Sequence, residues 1–120
     1  MKKILALLLA VVMVAAFASC GGKENDEGKA DAKNADFKIG LICLHDENST
    51  YDNNFIQALK SVQKELGLTD EQVLIKTNIP ESNECYEAAA QLVDEGCNVI
   101  FADSFGHEQF VLQAAKENPD

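Results

Sequence analysis

The chain has 120 residues, with 20 acidic against 10 basic side chains, a formal net charge of -10 at pH 7, 47% hydrophobic residues and no Trp. Every basic residue is a lysine. Phosphate contacts need clustered Lys or Arg, and no such cluster is present, so the composition argues against nucleic acid or an anionic membrane face as a partner. What remains is an acidic object of about one domain.

Lys2 and Lys3 precede an uninterrupted apolar stretch over 4–18, the charged and apolar regions of a secretory signal peptide. At about 1.5 Å per residue the stretch reaches roughly 22 Å, short of the ~30 Å that a transmembrane helix must cross. Phe17-Ala18-Ser19-Cys20 followed by Gly21-Gly22 resembles a bacterial lipobox, although Phe17 stands where Leu is usual. The resemblance implies that residues 1–19 are removed and that Cys20 is lipidated, tethering the protein to the extracytoplasmic face of the cell membrane through its acyl chains alone. A plain secretory signal is the alternative.

Residues 20–36 then form a linker: after Cys20 they hold no large apolar residue and cannot bury enough surface to offset chain entropy. Cys43, Cys85 and Cys97, at spacings of 42 and 12, match no CxxC pattern and read as small core residues. One disulfide among them remains open in an exported protein.

The folded part spans 37–120. The run 37–44 is almost continuously apolar, Val73–Thr77 is shorter and β-branched, and Val99–Ala102 is again apolar, as in strands covered on both faces of a parallel sheet. Between the first two, Phe55, Leu59, Val62 and Leu66 recur at helical spacing, with Asp52 or Asn53 to open the helix and Gly67 to end it. Tyr86, Ala89, Ala90 and Val93 repeat the pattern between Ser82 or Asn83 and Gly96, and a third helix carries Phe110, Val111 and Ala114 before Pro119. Strand starts lie roughly 25 to 35 residues apart, the length of right-handed βαβ crossovers. The predicted architecture is α/β, a βαβαβα half of a doubly wound parallel sheet. Asp120 falls where a fourth strand is expected, which suggests a fragment of a longer protein.

Ligands in such sheets lie beyond the carboxyl ends of the strands, here the loops 45–54, 78–83 and 103–108. Their carboxylates and amides suit vicinal hydroxyls, and Tyr51, Phe55 or Phe105 can stack on a planar ring, so the chemistry fits a sugar or a nucleoside. The bland readings are a helix cap for Asp52, Ser82 and Asn83 and a core position for Phe55. A phosphate or flavin loop is disfavoured by His45-Asp46-Glu47 and Asp52, whose charges repel phosphate. The same His and carboxylates, with His107, are a weak metal signal. Ser104 stands in Asp-Ser-Phe-Gly, not in a nucleophile elbow. The expectation is a protein without catalytic residues, metal or cofactor.

Three segments together, Phe37-Lys38-Ile39-Gly40-Leu41-Ile42, Asp52-Asn53-Asn54-Phe55, and Val99 to Gly106 with Ala114-Ala115-Lys116-Glu117-Asn118-Pro119-Asp120, resemble the basic membrane protein family. Its members are the purine-nucleoside-receptor-like lipoproteins that serve bacterial ABC importers. The resemblance implies a truncated first lobe of a type I periplasmic-binding-protein fold, and a substrate-binding role alongside permease and ATPase subunits. It places Asp52 on ribose hydroxyls, Phe55 against the base, and Ser104 and Phe105 in the turn after the third strand. The chain departs from the family pattern in a longer insertion from His45 to Tyr51 and in Asn53-Asn54, so His45, Asp46, Asn48, Tyr51 and Asn54 join the candidate ligand contacts. The alternative is a lipoprotein of the same fold that senses a ligand and signals to a membrane partner without transport.

Overall fold

A computed structural model of the chain describes residues 35–119. The expected signal peptide, Cys20 and most of the linker lie outside the described residues. Three short parallel strands, β1 (Ile39–Ile42), β2 (Val73–Lys76) and β3 (Val99–Ala102), form a sheet in the order β2-β1-β3. Ile39 pairs with both Val73 and Val99, and Ile42 with both Lys76 and Ala102. Helices α1 (Thr50–Leu66), α2 (Asn83–Asp94) and α3 (Glu108–Glu117) follow the strands in turn. This is the α/β, βαβαβα arrangement expected from the sequence.

Because β2 and β3 lie on opposite sides of β1, the two crossovers run in opposite directions, and a single crossover hand puts their helices on opposite faces. Two cores result. Ile39, Leu41 and Cys43 point to one face and pack with Ile56, Leu59 and Leu68 of the α1 side. Ile42 points to the other, among Cys85, Ala88, Ala89, Leu92 and Ala114 of α2 and α3. All four residues of β1 are buried, which is why its sequence does not alternate.

β3 is different. Val99 is 37% and Phe101 54% exposed on the α1 side of the sheet, while Ile100 and Ala102 are packed against the α2 side. An open apolar groove of about 360 Å³ runs there between α1 and β3, lined among others by Phe37, Phe55, Val62, Leu66, Val99 and Phe101.

Helix ends depart from the expected positions in one informative case. α1 starts one turn early, at an Ser49 N-cap whose hydroxyl accepts from the Asp52 N–H and donates to the Asp52 carboxylate. Asp52 is therefore the third helical residue of a capping-box-like pair rather than the cap itself. The predicted Gly67 terminus is present, with φ 65° in the left-handed region. Ser82 caps α2 by accepting from the Glu84 N–H. The buried face of α2 is Cys85, Ala88, Ala89 and Leu92, so of the predicted stripe only Ala89 is fully inside. Likewise Ile56 and Leu59 are the buried apolar residues of α1, and Phe55, Val62 and Leu66 border the groove. Cys43 and Cys85 are buried, Cys97 is half-buried, and all three are free thiols.

Candidate functional site

Parallel strands deliver all three of their following loops to the same end of the sheet, and hydrogen bonds knit those loops together. The Tyr51 hydroxyl, in the first turn of α1, donates to the Asp103 carbonyl after β3 at 2.9 Å. The Leu44 N–H donates to Asp103 Oδ1 at 3.1 Å. From the loop after β2, the Asn78 N–H reaches the His45 carbonyl at 3.2 Å and the Ile79 N–H the Cys43 carbonyl at 3.0 Å. Asn78 itself takes φ 57°, a left-handed conformation that Asn tolerates better than most residues. Glu81 bridges the second and third loops, accepting from the Ser104 hydroxyl and, at 3.0 Å, from the Gly106 N–H. Those two donors hold the Glu81 carboxyl below its ordinary value.

The side chains proposed from sequence divide into an outer rim and a buried floor. On the rim, Phe105 is 91% and Tyr51 59% exposed. Tyr51 and Phe55, one helical turn apart, have ring centroids 5.1 Å apart with planes tilted by 55°. Phe55 faces partly into the apolar groove, so the two most open rings at this end of the sheet are Tyr51 and Phe105. Asn48 and Asn54 are exposed, and Ser104 is half-buried against Glu81. Asp46 Oδ1 accepts from both the backbone N–H, at 3.0 Å, and the side-chain amide, at 2.9 Å, of Asn48. These bonds depress the Asp46 carboxyl and commit it to shaping its own loop. His45 presents an exposed ring whose Nδ1 is 3.3 Å from Asp52 Oδ2.

The floor contains Asp52, Asp103 and Cys43. Asp52 is fully buried and accepts from the His45 N–H at 2.8 Å, from the Ser49 hydroxyl and from the His45 ring. Burial pushes its carboxyl up, but hydrogen bonds from Ser49 and from the His45 backbone and ring, together with the neighbouring Asp103 carboxyl, outweigh this and hold it well below the carboxylate range. Asp103, 5% exposed, moves the opposite way: burial raises it first, the Cys43 thiol and Leu44 N–H oppose, and contact with Asp52 and its charge raise it again. Of the two carboxylates, Asp103 is therefore the one that takes up a proton first as pH falls. Burial, reinforced by Asp103, pushes the Cys43 thiol up to about 12.

Asp103, inside the predicted 103–108 loop but not singled out there, and Cys43, read as a small core residue, complete the floor. They stand immediately after β3 and β1, adjacent strands on either side of the topological switch point, and this placement is the signal that could have found them. His107, expected at the rim, is instead buried, its Nε2–H donating to the Ile79 carbonyl at 2.8 Å while Nδ1 has no partner among the described residues. A separate hollow of about 640 Å³, lined by Lys60, Lys64 and Asp70 among others, lies at the opposite end of the sheet, away from all of these groups. Compared with known proteins, the chain matches no family model and no curated protein.

Proposed function

We propose that this chain is the first-lobe portion of a membrane-tethered solute receptor of the periplasmic-binding-protein type, delivering a small polar molecule, a purine nucleoside foremost, to an ABC importer. The observation that carries the reading is the convergence of three loops on one end of a parallel sheet, with bare aromatic rings at Tyr51 and Phe105 beside hydroxyl and amide groups. A ring that stacks on a planar base must be open until the ligand arrives, as the Phe105 ring is. Asp52 supports this rim from below by holding the His45 backbone and Ser49. Its burial makes it a positioning residue rather than a direct ribose contact. The lipobox-like segment and the resemblance to the basic membrane protein family supply the transport context.

The test is calorimetric titration of purine nucleosides, free bases and sugars into the intact lipoprotein and its Phe105→Ala variant. A nucleoside that binds the parent and loses at least tenfold, about 1.4 kcal/mol, in the variant supports the reading. Binding of no solute of these classes, or equal binding by both proteins, would sink it.

A further inference from the structure

We infer that Cys43, Asp52 and Asp103 bind one divalent transition-metal ion of the zinc type beneath the rim, with the His45 imidazole closing the shell. Sγ of Cys43 and one carboxylate oxygen from each aspartate lie within 4.8 Å of one another, and all three residues are buried. Tetrahedral coordination at about 2.0–2.3 Å separates neighbouring ligand atoms by roughly 3.3–3.8 Å, so modest contraction suffices. His45 Nδ1 stands 3.3 Å from Asp52 Oδ2 but lies outside the group of Cys43, Asp52 and Asp103, so its exposed ring has to swing inward to complete the shell.

Asp103 Oδ2 supplies the independent pointer to a ligand. It is shielded from solvent and has no hydrogen-bond partner among the described residues, although its sister oxygen is held by the Leu44 N–H. Native folds rarely leave a buried carboxylate oxygen unpaired, and a bound ion is one of the recognised reasons. A proton on one carboxylate would satisfy a single oxygen. A dication engages all three groups.

The donor set selects the ion. One sulfur, two carboxylates and one imidazole suit zinc and its neighbours, whereas magnesium and calcium need six or more oxygens, which this floor does not offer. On binding, the Cys43 S–H bond breaks and the sulfur bonds the metal, and that proton, with any carried by Asp103, passes to water. Entry is through His45, whose ring is 62% exposed and covers Asp52. The site lies under the surface proposed for nucleosides and does not depend on that reading.

Cobalt(II) titration of the metal-free full chain in mild detergent tests the site, because a thiolate ligand gives cobalt an intense near-ultraviolet charge-transfer band. The expected result is saturation at one ion per chain, displacement by zinc, and loss of the band in Cys43→Ser but not in Cys20→Ser or Cys97→Ser. Asp103→Asn, which keeps the side-chain shape, should weaken cobalt binding at least tenfold, with circular dichroism confirming its fold. A missing band in the parent, a band that survives Cys43→Ser, or unchanged affinity in Asp103→Asn overturns the proposal. Should Cys43→Ser fail to fold, the Asp103→Asn affinity decides alone.

Discussion

Gly40, in the middle of β1, lies directly beneath Leu92 of α2: a Cβ placed on it would stand 2.8 Å from Leu92 Cδ1. The glycine is there for close approach, not for an unusual backbone angle, and it lets the helix sit down on the central strand. Leu92 is fully buried. Gly40→Ala should therefore overpack the core and cost about 1–3 kcal/mol, while Leu92→Ala should open a cavity and cost about 2–5 kcal/mol. Combined, the two should cost less than their sum, because the shortened Leu92 makes room for the new methyl. Urea unfolding of the four proteins measures the coupling, and strict additivity would show that the two sites do not share that space.

The tether between the second and third loops behaves differently. A Cβ on Gly106 would run into the Glu81 side chain, but Glu81 is exposed and can swing away. Gly106→Ala should leave the global unfolding midpoint nearly unchanged while breaking the bonds from Glu81 to Ser104 and to the Gly106 N–H. Hydrogen exchange should register this as faster exchange of the residue-106 amide, with the amides of β1 unaffected. Slowed exchange at β1 would mean that the tether is coupled to the core.

The central strand was legible because a buried strand has no polar face to mask its apolar run: β1, buried at all four positions, lies within the predicted 37–44, and β3 occupies the predicted Val99–Ala102 although one of its faces is open. Helix faces were less legible where residues are small. The α2 segment Cys85-Tyr86-Glu87-Ala88-Ala89-Ala90 offers two apolar stripes one residue apart, and what selects between them is the groove above Gly40, which takes Leu92 and is visible only once β1 and α2 meet. The start of α1 was misplaced because Asp52 is a good cap by type, and only the fold shows its carboxylate reaching back to Ser49 and His45. The rim of the site could be read from three polar loops. Its floor could be read only in part, since Asp103 falls in the predicted 103–108 loop, whereas Cys43 looks like a strand end until β1 and β3 are known to be neighbours.

The groove between α1 and β3 should be measurable in solution. Parallel sheets are normally covered on both faces, and here Phe101 and Val99 are open on one. An apolar fluorescent dye such as ANS should bind the native protein there, and Phe101→Lys should reduce the signal severalfold with a change in stability within about 0.5 kcal/mol, the usual range for an exposed position. Undiminished dye fluorescence in the variant would place the dye site elsewhere.

Asp52 and Asp103 predict opposite limbs of the stability profile of the metal-free protein, held so by a chelator. The folded state depresses Asp52, so its contribution is present above the unfolded Asp value of about 3.9 and is lost as pH falls through its lower folded value. The folded state raises Asp103, so its contribution is complete below about 3.9 and is lost as pH rises through its higher folded value. Asp52→Asn should cost about 1.5–3 kcal/mol at neutral pH by weakening charge-assisted bonds from His45 and Ser49, and should flatten the acid limb. Asp103→Asn should do the reverse. Its amide keeps an acceptor for the Leu44 N–H and offers Asp52 a donor in place of a desolvated charge, so it should stabilise the protein by about 1–3 kcal/mol at neutral pH and flatten the rise on acidification. Denaturant unfolding from pH 3 to pH 8 separates the two limbs; a destabilised Asp103→Asn at neutral pH would mean that Asp103 is needed there as a carboxylate.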